Sequence, residues 1–315
     1  MNVTVWTWVG FNLFILAMLL LDLAVFHRRA HTVRLREAAT WSAVWVAISL
    51  IFAAGIAVIE GGPPALAFLT GYVIEKSLSV DNLFVFVTIF QYFAVPAQYQ
   101  HRVLFWGIIG AAVMRGAFVA AGAYLLSRFH FVVYVFGALL IFTAVRMAAR
   151  PPGPSREQTN RIVRAVRRVL PVSEMQEGGH FFTRVDGRLV ATPLLLVLVL
   201  IEFTDILFAI DSIPAIFAVT REPFLVYSAT MLAVLGLRAM YFLLAGVIER
   251  FEYLHYGLAF ILLFVGVKML LSEVWDVPVW LSLLIILAAL AVSTLASIRR
   301  TARTDEPPPD ASAGS

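Results

Sequence analysis

Long apolar stretches dominate this chain and leave few folds open to it. Nine of them come to about 20 residues each, enough to cross a hydrocarbon core ~30 Å thick as a helix. Apolar residues make up 61% and charged residues 14% of the 315 residues, whereas soluble domains are about 45–50% apolar and about 25% charged. The pattern predicts an all-α polytopic membrane protein and disfavours soluble enzymes and nucleic-acid-binding proteins. The predicted spans are Trp6–Phe26, Trp41–Ile59, Leu66–Phe90, Val103–Leu126, Phe131–Ala149, Pro193–Val219, Leu225–Val247, Leu254–Leu271 and Val277–Ile298.

Arginines in the connecting loops predict the orientation of these spans. With the N-terminus outside and the C-terminus inside, the inner segments hold 17 Arg and the outer segments hold two, Arg128 and Arg221. Inner loops of membrane proteins carry such an excess of basic residues. We therefore expect an N-out, C-in topology with the basic loops against anionic membrane lipid. This placement explains the net charge of +4 without a nucleic-acid partner.

The spans and loops divide the chain into six parts. The longest loop opens with prolines and contains a basic amphipathic stretch, Asn160–Leu170, expected on the membrane surface. A regulatory or partner-binding arm is the alternative for that stretch. The parts are two N-terminal spans (1–65), a first three-helix unit (66–149), a basic cytoplasmic loop (150–192), a second three-helix unit (193–272), a C-terminal span (273–298) and a disordered cytoplasmic tail (299–315).

Spans 3–5 and spans 6–8 resemble each other in sequence. Glu75–Asn82 aligns without gaps to Asp205–Ser212, and each following span has one central arginine, Arg115 or Arg238. Because each unit has three spans, the second unit must be inverted relative to the first. Inverted repeats around a shared midplane site are typical of secondary transporters. Chance similarity between apolar helices is the alternative.

Ionisable residues inside the spans are the candidates for function. Such groups are costly in lipid and face the bundle interior or water. Five acids against three basic groups leave two negative charges, which one divalent cation or two protons would neutralise if all eight groups share one cavity. Structural ion pairing is the alternative. The candidate metal-binding residues are Glu75, Asp81, Asn82, Glu202, Asp205, Asp211 and Ser212, and the possible counter-charges are Lys76, Arg115 and Arg238.

The spacing of these acids conflicts with a single site on straight helices. Glu75 and Asp81 are six residues apart, which places them on different faces of one helix. A helix broken near each acidic motif would bring its acids together and free backbone carbonyls as ligands. Pro214 predicts such a break in span 6, because its ring opposes the carbonyl of Ile210. Span 3 has Phe84 at the equivalent place, so a break is less evident there.

The available donors indicate the kind of cation. The chain has no cysteine, and no histidine lies in the middle of a span. Carboxylate, amide and hydroxyl oxygens suit magnesium, calcium and manganese(II) better than zinc or copper. The residues alone thus predict a hard divalent cation without choosing among these metals, and they indicate no organic cofactor.

Two long motifs carry a family resemblance. The segments 71–86 and 202–215 resemble the signature motifs of the TerC/Alx family of membrane proteins. Together with shorter matches, the resemblance covers roughly residues 11–275. The shorter matches are Leu21–Arg28, Val95–Pro96, Gln100–Leu104, Phe136–Gly137 and Gly236–Ala239.

This resemblance implies manganese(II) export across the bacterial inner membrane. The family is also tied to tellurite resistance and to the response to alkaline pH. Its functional acids would fall on five residues, which are Glu75, Asp81, Glu202, Asp205 and Asp211. We therefore expect a transporter and not an enzyme, with Mn²⁺ as substrate, protons as the exchanged ion and the site between spans 3 and 6.

Three other functions stay open at this point. One is a non-transporting membrane scaffold that helps to metallate or assemble exported proteins. Another is an intramembrane enzyme or redox modulator, for which the chain has no cysteine, no haem-type histidine pair and no dinucleotide glycine motif. The third is a passive channel, which would conduct without proton coupling.

Overall fold

A computed structural model describes residues 3–26, 35–149, 164, 179–185, 188–245, 253–274 and 277–304. This part of the chain is almost entirely helical, with one short hairpin. Its helices are α1 (Val5–Phe26), α2 (Leu35–Glu60), α3 (Gly62–Tyr92), α4 (Ala97–Arg128), α5 (Val132–Ala149), α6 (Pro193–Phe217), α7 (Pro223–Leu235), α8 (Leu237–Leu244), α9 (Leu254–Leu270) and α10 (Val279–Thr304), and its strands are β1 (Phe182–Val185) and β2 (Arg188–Ala191).

Length and apolarity qualify five described helices to cross a membrane, and six if α7 and α8 form one bent span. The five are α2, α4, α5, α6 and α10. The apolar parts of α1 and α9 are shorter, and α3 carries three charged residues, Glu75, Lys76 and Asp81, in its middle. The protein is thus an all-α polytopic membrane protein.

The break in the helical path lies elsewhere than we predicted. Helix α6 continues past Ile210 and Pro214, so the expected interruption of span 6 is wrong. Pro214 lies only three residues before the end of α6, where its missing N–H removes one late hydrogen bond and the helix still closes through Ala218 N–H to the Pro214 carbonyl. The seventh predicted span is instead the interrupted one, since α7 and α8 meet at Gly236 with a bend of 44°.

The helices of the two three-helix units pack across each other. Helix α4 packs on α6, and α7 packs on α3, while α3 and α6 also touch directly. Helices α5 and α9 run antiparallel and make the most extensive contact among the described helices, and Gly137 and Gly266 let the two backbones approach. A methyl group at either glycine would meet the carbonyl of the other at about 3 Å.

Polar contacts join helix ends and loops. At one end, His130 Nε2 lies 2.5 Å from Glu273 Oε1, and this hydrogen bond is the main cause that holds the pKa of the Glu273 carboxyl below its ordinary value. Elsewhere Arg102 Nη1 donates to the Gly179 carbonyl at 2.7 Å, next to the hairpin, and Arg300 Nη1 donates to the Tyr253 hydroxyl at 2.8 Å.

The structure changes the predicted start of the C-terminal tail, and most of the predicted amphipathic stretch lies outside the described residues. Helix α10 continues to Thr304, so the first six residues of the predicted disordered tail are helical, with Arg300 stacked 5.3 Å from the centre of the Tyr253 ring. Of the stretch 160–170, only Arg164 is among the described residues. The tail beyond 304 also lies outside them.

Candidate cation site

Three helices bring Glu75, Arg115 and Asp205 into one buried cluster. Arg115 of α4 reaches Asp205 of α6 with two nitrogens, Nε to Oδ2 at 3.1 Å and Nη2 to Oδ1 at 2.9 Å. Its third nitrogen, Nη1, forms an ion pair with Glu75 Oε1 of α3. The exposed fractions are 0%, 1% and 2% for Arg115, Glu75 and Asp205. The arginine thus occupies the space between two carboxylates that come from different halves of the chain.

Asn82 completes this cluster from two helical turns further along α3. With its amide oriented to satisfy both ends, Asn82 Oδ1 accepts from Arg115 Nη2 at 3.2 Å and Nδ2 donates to the Leu78 carbonyl at 3.1 Å. Seven residues bring Asn82 back to the face of Glu75. The cluster therefore offers two carboxylates and one amide oxygen around a single cationic group.

The electrostatics of the cluster make the arginine hard to remove and hard to replace. Two carboxylates and one guanidinium leave one net negative charge in a buried place. Removing one partner of a buried ion pair costs about 3–5 kcal/mol because a charge is left uncompensated. A cavity of about 10 Å³ beside Asp205, with Arg238 in its wall, has roughly the space that one water molecule needs.

Glu202 lies one turn before Asp205 on α6, outside the arginine cluster. Its carboxyl group rests directly against Gly110 of α4, where a methyl group would overlap the carboxylate atoms. Glu202 is only partly buried. The absence of a side chain at Gly110 therefore creates the room that this carboxylate takes between α4 and α6.

Asp81 faces a different neighbour from Glu75, although both lie on α3. Asp81 Oδ1 lies 3.9 Å from Nδ1 of His255, near the start of α9. The other ring nitrogen of His255, Nε2, contacts the backbone carbonyl of Met147 at the end of α5. Asp81 is thus located where α3 meets the α5–α9 pair.

Asp211 has an equivalent position on α6. Its Oδ1 accepts a hydrogen bond from Thr143 Oγ1 of α5 at 2.8 Å, and Arg146, one turn further on α5, lies within electrostatic range. The neighbouring Ser212 is buried, and its hydroxyl has no hydrogen-bond partner among the described residues. Both aspartates therefore lie against the α5–α9 pair rather than beside Arg115.

We had expected Lys76 to be a counter-charge in the acidic cluster, but it does not join that cluster. Its Nζ donates to the backbone carbonyl of Ala233 on α7 at 3.3 Å. Lys76 follows Glu75 by one residue, so the two side chains leave α3 about 100° apart. Arg238 shares the cavity with Asp205, so of the three predicted counter-charges, Arg115 and Arg238 lie near the acids.

The structure accordingly does not bring all eight charged groups into one cavity. Within the described ranges, no three His, Asp or Glu side chains lie close enough together to hold a metal ion. Sequence reasoning missed the contacts of Thr143 and His255 with the acids and the bend at Gly236. Thr143 and His255 are polar residues in otherwise apolar predicted spans, a signal that could have identified them.

Comparison with known proteins identifies the family. The family model described as "Integral membrane protein TerC family" matches residues 60–305. An uncharacterised membrane protein from Myxococcus xanthus, STKORF319, is 50% identical over 291 residues, which is 92% of this chain and 91% of the relative. A relative from Escherichia coli K12, Alx, which carries a provisional description as a membrane-bound redox modulator, is 48% identical over 295 residues, 91% of this chain and 92% of the relative.

A more distant relative and the solved structures complete the comparison. An uncharacterised membrane protein from Rickettsia bellii is 37% identical over 294 residues, 93% of this chain and 97% of the relative. No solved structure matches the chain. The matched length and these identities show that the chain belongs to the TerC family of integral membrane proteins.

Proposed function

We propose that this protein is a secondary transporter that exports a hard divalent cation, manganese(II), from the cytoplasm across the bacterial inner membrane in exchange for protons. The observation that carries the proposal is the buried cluster of Glu75, Arg115 and Asp205. Two carboxylates at the junction of the two halves would balance the charge of one divalent cation. The third charged group, Arg115, would balance one of those charges whenever the cation is absent.

The proposed topology has nine spans, N-out and C-in, with inverted repeats in spans 3–5 and 6–8. In support, the second helix of each unit packs on the first helix of the other, since α4 packs on α6 and α7 packs on α3. The contact between His130 and Glu273 joins two loops that this topology places outside. The contact between Arg102 and Gly179 joins two segments that it places inside.

Exchange of the guanidinium for the cation is the central step of the proposed mechanism. The cation takes Glu75, Asp205 and the amide oxygen of Asn82 as ligands, and Arg115 withdraws because two cationic groups cannot share that space. Carboxylate and amide oxygens are ligands that hard divalent cations accept. When protons arrive at the carboxylates, the cation leaves, and Arg115 pairs with the acids again as the protons depart.

The remaining acids lie next to the cluster and would extend the proposed route from it. Asp81 and Asp211 each lie six residues, or about 9 Å, beyond the cluster acid of the same helix. The contact of Asp211 with Thr143, and of Asp81 with His255 beside Met147, places the two aspartates about one turn apart along α5, against the α5–α9 pair. Glu202, partly buried against Gly110, provides a further carboxylate next to Asp205.

The description of the Alx relative favours a second function, modulation of redox state. This chain contains no cysteine, so thiol–disulfide exchange by its own residues is excluded. Without thiols of its own, this chain could serve such a function only as a non-transporting scaffold for other proteins. The two functions differ in whether the purified protein moves a cation.

Manganese(II) uptake by proteoliposomes or inside-out vesicles under an imposed proton gradient tests the proposal. We expect uptake by the wild type, loss in Asp205→Asn and Glu75→Gln, and wild-type uptake in Glu222→Gln, an exposed acid before α7. A wild type that moves none of manganese, calcium or magnesium, with or without the gradient, would contradict the transporter. Uptake that ignores the gradient would indicate a channel.

A further inference from the structure

The bend between α7 and α8 lacks the usual cause of a sharp kink. The bend angle is 44°, and the residues from Pro223 to Leu244 contain no proline beyond the first position of α7. Sharp kinks without proline arise at glycine–serine pairs, at π-bulges, or where a side chain or a water molecule enters the backbone hydrogen-bond ladder. A group that takes the place of a helical hydrogen bond can hold such a bend.

Lys76 of α3 supplies that group. Its Nζ donates to the carbonyl of Ala233 at 3.3 Å, and in an unbroken helix that carbonyl would accept from the N–H of Leu237. Ala233 is one of the last four residues of α7, whose carbonyls have no partner within the helix. A cation at a helix C-terminus is also favoured by the helix dipole. The ammonium thus stabilises the end of α7 at the bend.

Gly236 makes this approach sterically possible. A methyl group at Gly236 would lie 2.6 Å from Lys76 Nζ and 3.1 Å from Cβ of Trp45 on α2. Trp45 is 1% exposed, so it closes the space behind the ammonium. Among the amino acids, only glycine leaves room for both neighbours at this place.

The direction of α8 determines where Arg238 lies. Arg238 is the second residue of α8, is 1% exposed and lines the cavity that also contains Asp205. Helix α8 has eight residues and is about 12 Å long, so straightening a 44° bend would move its far end sideways by about 8 Å. Arg238 lies only two residues past Gly236, so its backbone would move by about 2 Å, and its side chain would turn with α8 out of its present place beside Asp205.

We propose that Lys76 is a positioning residue, whose ammonium holds the α7–α8 bend and thereby keeps Arg238 beside Asp205. The role of this arrangement in cation binding rests on the proposed transport function. The positioning itself does not, because it is a statement about the bend alone. Lys76 thus has a role different from charge balance within the acidic cluster.

A distance measurement between two spin labels tests the positioning independently of transport. The chain has no cysteine, so Leu244→Cys at the end of α8 and Val145→Cys on α5 label two chosen places in the full-length protein. We expect Lys76→Met to shift or broaden the distance distribution by several ångströms. Gly236→Ala, which pushes the ammonium off the Ala233 carbonyl, should have the same effect if Lys76→Met does not fold. An unchanged distribution in the folded variant overturns the proposal.

Transport kinetics test the link from Lys76 to Arg238. Removing the guanidinium from the wall of the Asp205 cavity should strengthen cation binding and slow cation release, so Arg238→Gln should lower both KM for manganese and kcat, by about tenfold. Lys76→Met should lower KM and kcat in the same way, and the double variant should show no further change in either. Independent, additive effects overturn the link. A wild type without manganese transport contradicts the proposed function and leaves the spin-label result to decide the positioning.

Discussion

Arg115 and Asp205 form a two-pronged contact across the two halves of the protein, with Nε 3.1 Å from Oδ2 and Nη2 2.9 Å from Oδ1. Paired N–H donors in this geometry match a carboxylate better than a single donor does. Arg115 belongs to the first three-helix unit and Asp205 to the second. A movement of one unit against the other would therefore have to break or rebuild this contact.

The first prediction concerns Arg115→Gln. Because the guanidinium competes with the cation for the carboxylates, its loss should tighten manganese binding by about tenfold and lower kcat, since protons alone then displace the cation on release. Titration calorimetry of the purified protein gives the affinity, and proteoliposome uptake gives kcat.

Arg128→Gln is the matched control for that variant. Arg128 lies on the same helix, α4, at its exposed end, so its loss should leave both quantities unchanged. Weaker manganese binding in Arg115→Gln would contradict the exchange of guanidinium for cation.

The second prediction concerns the stability of the buried cluster. Arg115→Gln leaves the Glu75 and Asp205 carboxylates buried together with no cationic partner, and we expect a loss of about 3–5 kcal/mol in the free energy of unfolding. Combining it with Asp205→Asn should restore part of the loss, because one of the two mutually repelling carboxylates is then removed. Unfolding in detergent, followed by circular dichroism, measures the three variants. Additive losses in the double variant would show that the two side chains are not coupled.

Apolar stretches and motif alignment predicted where helices lie, but the facing of individual charges depends on neighbours that sequence alone does not reveal. Glu75 and Asp205 were both candidate ligands, and they do share Arg115. Lys76, adjacent to Glu75, turns to α7 because the Ala233 carbonyl is available there.

The position of the helix break also could not be predicted from the local sequence. Proline is the strongest such signal and drew the prediction to Pro214, near the end of α6, where the helix tolerates it. The bend lies at Gly236, where the contact with α3 that accompanies it comes from 160 residues earlier in the chain. Long-range contacts of this kind determine the site and leave no periodic pattern in the sequence.

The third prediction tests the room that Gly110 gives to Glu202. Gly110→Ala would place a methyl group inside the space of the Glu202 carboxylate and should push that side chain out of the α4–α6 interface. We expect manganese transport to fall by about tenfold or more, because a carboxylate beside Asp205 is displaced. Gly116→Ala on the same helix is the control, since its methyl group would meet only Tyr227 at 3.4 Å. Equal transport by the two variants would remove Glu202 from the proposed route.

The last prediction concerns the packing of α5 on α9. Gly137→Ala would place its methyl group against Leu270 and 3.1 Å from the Gly266 carbonyl, and the two backbones would have to separate. Overpacking of this kind costs about 1–3 kcal/mol, so thermal unfolding in detergent should occur at a lower temperature. Gly10→Ala is the matched control, because a methyl group there meets nothing within 4 Å and should stabilise α1 by about 0.5–1 kcal/mol. Since α5 also carries Thr143, the donor to Asp211, Gly137→Ala should in addition reduce manganese uptake, whereas Gly10→Ala should not. A Gly137→Ala protein as stable as the wild type would show that α5 and α9 can separate without cost.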